Sequence, residues 1–240
     1  MSKENRDTGR AERAAAVRAD QARKERNRRI GLVALIVVIL GAVVAAGTWY
    51  GGGGSADTPS ASVAASAGQG SVIAGKAGAP VKVVIYEDFQ CPFCRELENS
   101  TRDFLRENAA AGKVQVEYRP IDLLQSTYGE RAMNAFAAVL AHSTPAAALK
   151  LHDLLYGDQP YESDSASVSP SQILGLVKKA GGDNPAVETA LKTQDAAFFQ
   201  AASEVMSQKK ITSTPTVLID GKPVTGGVPD IVKAVENAVG

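Results

Sequence analysis

The chain has 240 residues, 45% of them apolar, which excludes a wholly disordered protein and allows one large domain or two small ones. Its 26 Lys and Arg match its 26 Asp and Glu, which argues against nucleic-acid binding through bulk charge. Two cysteines cannot build a disulfide framework.

The balanced charge conceals an asymmetry. Residues 1–29 carry ten Lys or Arg against five acidic residues, and residues 51–240 carry 16 basic against 21 acidic residues. The first segment reads as a basic cytoplasmic tail that sets topology or holds anionic lipid headgroups. Ile30 to Tyr50 (IGLVALIVVILGAVVAAGTWY) carries no charge at all. As a helix it spans about 31 Å, which matches a hydrocarbon core of about 30 Å. Arg23, Lys24, Arg26, Arg28 and Arg29 crowd one end, and Trp49 and Tyr50 mark the other. The positive flank predicts a single transmembrane helix over 30–50 with its N-terminus in the cytoplasm. The competing reading is a signal peptide cleaved near Ala45, Ala46 and Gly47, although the apolar region of such a peptide usually runs to only about 7–15 residues. No cysteine directly follows the apolar run, so a lipoprotein is not expected.

Residues 51–78 are dominated by Gly, Ser and Ala and predict a flexible linker with a reach of roughly 30 Å. The folded domain is expected over 79–240. Val81 to Tyr86 (VKVVIY) has the β-branched content of a buried strand. Residues 95–112 predict a helix that ends at Gly112, and Lys113 to Arg119 (KVQVEYR) alternates as a strand should. This strand–helix–strand unit implies a parallel pair and an α/β fold. Apolar stripes at helical spacing follow. They run over Tyr128 to Leu140, Leu149 to Leu155, Ile173 to Val177, Pro185 to Lys192 and Phe198 to Met206, with a polar loop over Gly157 to Pro170. Thr216 to Ile219 and Lys222 to Thr225 predict a hairpin turning at Asp220-Gly221, and Asp230 to Val239 a closing helix.

The strongest motif is Cys91-Pro92-Phe93-Cys94, placed between a strand and a helix. A helix N-terminus presents unpaired N–H groups and partial positive charge, which stabilise a thiolate. Two intervening residues put both sulfurs on one turn, and Pro92 suits a first turn. Cys91 is expected to be the exposed nucleophile and Cys94 the resolving thiol. Other readings compete. A static disulfide would close too small a loop to stabilise much. A zinc site could draw on Cys91, Cys94, His142 and His152, but the histidines are not at finger spacing. Each histidine taken alone reads as a surface residue. A soft-metal thiol site is a further alternative, disfavoured by only three scattered methionines.

The segments YEDFQCPFC (Tyr86–Cys94) and STPTVLIDG (Ser213–Gly221), with the helical block between them, resemble the extracytoplasmic thioredoxin-like proteins of the DsbA family, over about residues 79–240. The resemblance implies a thioredoxin fold with a helical insertion at about 124–210. It implies that Pro215 is cis and faces the cysteine pair, so that Cys91, Cys94 and Pro215 are the catalytic residues. It places Pro92, Phe93 and Thr214 against substrate. It implies no cofactor. The expected activity is disulfide introduction into exported, reduced or unfolded proteins, with disulfide reduction or isomerisation as the alternative direction. The expected partner is a membrane quinone-linked reoxidant, DsbB-like or vitamin-K-epoxide-reductase-like, and the expected state is a monomer on the outer face of the cell membrane. Phe93 stands where strong oxidases of this family carry His. Ile85 stands where many thioredoxin-like proteins carry an acid, with Glu87 and Asp88 nearer the motif.

Overall fold

The computed structural model describes residues 63–240, so the tail, the transmembrane helix and the first part of the linker (51–62) assigned above lie outside the described residues. Two short strands open it, β1 (Ala65–Gly68) and β2 (Ser71–Ala74). Both fall within 51–78, and this corrects the linker boundary: the folded domain starts by residue 65. The run SVIA is too short, and too deep in a Gly/Ser/Ala tract, to announce itself. It is ordered by pairing, with Gly68 opposite Ser71 in β1–β2 and Val72 opposite Tyr118 of the strand that follows the first helix. Val72 and Ala74 are fully buried as a result. Gly75, at φ +98°, ends the hairpin where an added Cβ would lie 2.4 Å from the Val114 carbonyl oxygen, so only glycine fits.

The expected unit follows as β3 (Val81–Glu87), α1 (Pro92–Ala110) and β4 (Val114–Pro120). The helical crossover makes β3 and β4 parallel, with Val83 opposite Val116. The insertion comprises α2 (Thr127–His142), α3 (Pro145–Gly157), a 3-10 turn (Glu162–Ser167), α4 (Pro170–Ala180), α5 (Pro185–Ala190) and α6 (Ala196–Lys209). Ser126, Thr144, Ser169, Asn184 and Asp195 cap these helices with side-chain oxygens, which is why each starts where it does. The chain ends with β5 (Thr216–Ile219), β6 (Lys222–Pro223) and α7 (Val228–Val239). Asp220 and Gly221 both take positive φ, as a two-residue hairpin turn requires.

Together the strands form a mixed sheet in the order β1-β2-β4-β3-β5-β6. Strand alternation decides what each face holds. Val83, Ile85 and Val217 face the main core with Leu97 and Leu105 of α1 and Ile231 and Val235 of α7. Val84, Tyr86 and Leu218 belong to a smaller cluster with Ile121, Ile211 and the half-buried Val205 and Met206 of α6. Glu87 shares the parity of Val83 and Ile85, so the same alternation turns a carboxylate into the main core.

Candidate active site

Cys91 occupies the N-cap of α1 and Pro92 its first helical position. A tight turn leads in: the Cys91 N–H donates to the Asp88 carbonyl at 3.0 Å. The Asp88 carboxylate holds that turn open at the other side. One oxygen accepts from the Gln90 amide at 2.8 Å, and the other accepts from the Leu123 and Leu124 amides at 2.9 Å each. Thr214–Pro215 is cis, as the resemblance implies. Its loop reaches the cysteine: the Cys91 thiol donates to the Thr214 carbonyl across 3.4 Å.

Both cysteines are free thiols. Cys91 is less open than expected, with 4% of its surface exposed against 1% for Cys94, because the cis-proline loop covers it. Their acidities are pushed in opposite directions. A hydrogen bond from Cys94 draws the Cys91 thiol down from 9.0 to about 6 against the cost of burial, and the Thr214 side chain and the Cys94 and Phe93 amides assist. Burial pushes the Cys94 thiol well up, and its hydrogen bond to Cys91 and the charges of Cys91 and Glu87 push the same way. Cys91 is thus the readier of the two to ionise, and Cys94 holds its proton beside it.

A model of the thioredoxin family (Thioredoxin_4) matches residues 67–236. The chain belongs to this family. A search of curated proteins finds no match. Among solved structures, the chain is similar to MdbA, a thiol-disulfide oxidoreductase from Corynebacterium diphtheriae, at 22% identity over 74% of this chain and 93% of that one, with a TM-score of 0.62. Oxidised BdbD from Bacillus subtilis is 21% identical over 74% and 97% of the two chains, with a TM-score of 0.61. Oxidised DsbA from Mycobacterium tuberculosis is 21% identical over 69% and 88%, with a TM-score of 0.56. The thioredoxin fold with a helical insertion expected for this chain is therefore the fold it has.

Around the cysteines of this thioredoxin-family domain, Pro92 and Phe93 are exposed, and Thr214 and Pro215 are half-buried. The large apolar side chains left exposed among the described residues are Phe93, Leu124 and Tyr161, at 59%, 44% and 75%. All three sit on segments tied to the motif. Phe93 belongs to it, Leu124 hangs on Asp88, and Tyr161 follows Pro160, whose carbonyl accepts from Gln90 Nε2 at 3.0 Å. Two cavities of about 460 and 600 Å³ lie elsewhere, and neither has a cysteine in its wall.

The zinc set proposed from sequence does not assemble. His142 is exposed at the end of α2. His152 is the larger correction: it is fully buried rather than on the surface. Its Nε2 lies 2.6 Å from Glu87 Oε1 and its Nδ1 3.1 Å from Asp153 Oδ1. An ionised carboxylate only accepts, so a carboxylate at each ring nitrogen favours the doubly protonated imidazole. Burial alone would lower the His152 pKa, but the charges of Glu87 and Glu98 outweigh it and hold it up at about 10. Arg106 lies 2.8 Å and Arg102 3.5 Å from Asp153 Oδ1, so three cations face three carboxylates. Glu98, one turn beyond Cys94 on the buried face of α1, has neither oxygen hydrogen-bonded, and burial raises its pKa. The Glu87, Glu98 and His152 ligand atoms lie within 4.8 Å of one another. The arrangement is a self-neutralising ion cluster beneath the cysteine pair, with the Phe89, Tyr118 and Tyr156 rings within 6.0 Å of the imidazole. Strand parity at Glu87 was the sequence signal for it, and the stripe Ala148, Leu151, His152, Leu155 the signal for His152.

Proposed function

We propose that this protein is an extracytoplasmic thiol-disulfide oxidoreductase that introduces disulfides into exported proteins. The observation that carries the reading is the divided pair at the start of α1, with Cys91 drawn down to about 6 and Cys94 pushed up. A substrate thiolate attacks Cys91 Sγ of the oxidised pair. The Cys91–Cys94 bond breaks, and Cys94 leaves and takes a proton. The second substrate thiol gives up its proton and attacks the substrate sulfur of the mixed disulfide, and Cys91 leaves as a thiolate. The substrate loses two electrons and the enzyme gains them. A stabilised leaving thiolate favours this direction, and a quinone-linked membrane protein of the DsbB or vitamin-K-epoxide-reductase type would reverse it for the next cycle. Phe93, Leu124 and Tyr161 suit the apolar segments that an unfolded client exposes.

Cys94→Ala is expected to accumulate mixed disulfides with client proteins on non-reducing gels, because it loses the back reaction in which the Cys94 thiol attacks Cys91 Sγ and sets the client thiol free. Cys91→Ala should accumulate few, since its remaining sulfur is buried. Equal accumulation would overturn the assignment of roles.

The uncharged run Ile30 to Tyr50 behind a basic flank supports anchoring in the cell membrane with the domain outside. Among the described residues no helix is long and apolar enough to cross a membrane. The residues between anchor and domain would tether the monomer near its reoxidant and raise the effective concentration. An alkaline phosphatase fused after Gly240 should be active, and inactivity would remove the compartment from the proposal.

A further inference from the structure

Gln159 lies just past α3, far in sequence from the cysteines, and its side chain is buried. Its Nε2 donates to two carbonyls of the active-site turn, Phe89 O at 2.7 Å and Cys91 O at 3.0 Å. The return contacts come from the motif side: Arg95 Nη1 donates to the Gln159 carbonyl at 3.0 Å, and Gln90 Nε2 to the Pro160 carbonyl at 3.0 Å. Four hydrogen bonds therefore join residues 89–95 to residues 159–160, across 64 to 70 positions of sequence.

Cys91 is an N-cap without a capping side chain, at φ −70° and ψ 120°. Its carbonyl accepts the first helical bond, from the Arg95 amide at 3.2 Å. That torsion sets where the sulfur stands relative to the first-turn amides of Phe93 and Cys94. With no cap of its own, the residue needs an outside group to fix it, and Gln159 is bonded to the carbonyl on which the torsion turns. We propose that Gln159 is a positioning residue for the redox cysteine: by holding the Cys91 and Phe89 carbonyls it keeps the sulfur over the helix N-terminus and so sets the acidity and oxidising power of Cys91. The helical insertion thereby tunes the thioredoxin core. This rests on the oxidoreductase reading of the Cys91–Cys94 pair.

Gln159→Met keeps the bulk and removes the donor. Gln159→Glu keeps the shape and turns an oxygen toward two carbonyls. In the reduced full-length chain, followed by thiolate absorbance, Gln159→Met should raise the Cys91 midpoint by roughly one pH unit, the scale of one neutral hydrogen bond. The same variant should shift the equilibrium constant with glutathione roughly tenfold toward the oxidised protein, and Gln159→Glu should shift it further. Rescue by Gln159→His, which retains a donor, separates positioning from packing. In the unaltered chain the Gln159 side-chain amide resonances should move with the Cys91 titration. If the wild-type pair is redox-active and the Gln159→Met midpoint and equilibrium stay put, the positioning role is wrong. If the variant does not fold, amide resonances indifferent to the Cys91 titration overturn it equally. A wild-type pair that does not exchange with glutathione would instead sink the oxidoreductase reading itself.

Discussion

His152→Leu should destabilise the reduced full-length chain by about 3–5 kcal/mol at pH 6, read from urea unfolding, because removing one partner from a buried ionic cluster strands the others. The side chain is fully buried and both ring nitrogens face carboxylates. Glu87 from β3, Glu98 from α1 and Asp153 from α3 would lose their common cation, leaving Arg102 and Arg106 to face three acids. The loss depends on pH with a definite sign. His152 has a folded pKa raised to about 10 from 6.5, so its contribution is complete below pH 6.5 and disappears as pH rises through about 10. The gap between wild type and variant should therefore narrow steadily from pH 6.5 to pH 10. Glu98, also raised, adds to the decline of wild-type stability with rising pH from the acid side. A gap that stays constant over this range, or widens, would mean that the imidazole is neutral in the folded protein.

Local patterns in the sequence carried the strand–helix–strand unit, the CPFC helix start and the β5–β6 turn, because each is written in contiguous residues. Val81 to Tyr86 was visible as a strand since central burial demands β-branched residues on both faces. The β1–β2 hairpin was hidden for the opposite reason: its four-residue strands hold through edge pairing to β4, which leaves no periodicity in a tract of Gly, Ser and Ala. The site divides along the same line. Cys91, Cys94 and the turn at Pro215 were legible as motifs, whereas the groups that tune them were not. Glu87 meets His152 across 65 residues and Gln159 meets Cys91 across 68. Taken singly, Glu, His and Gln read as surface residues. Burial becomes tolerable only when the partner arrives from another element, and that pairing is a property of the fold. The exposure expected for Cys91 failed likewise, since its cover is the Thr214 loop brought over by β5.

A glutathione titration of the full-length chain should place the reduction potential of the Cys91–Cys94 pair at roughly −130 to −200 mV, between about −270 mV for thioredoxin and about −120 mV for DsbA. The lower bound follows from the thiolate. Cys91 loses its proton near pH 6, so at neutral pH the reduced form is stabilised by the Cys94 thiol, the Thr214 side chain and two first-turn amides, and the disulfide is correspondingly oxidising. The upper bound follows from what opposes it. Burial works against the charge, and Phe93 offers no donor where a histidine would add one. Phe93 is 59% exposed, so a polar ring fits there without repacking the core. Phe93→His should lower the Cys91 midpoint further and raise the potential by about 30 mV, which corresponds to a tenfold change in the equilibrium for a two-electron couple. The two shifts must move together, because both measure the same stabilisation of the thiolate. A wild-type potential near −270 mV would turn the proposed direction around, making the domain a reductase supplied with electrons rather than an oxidase relieved of them.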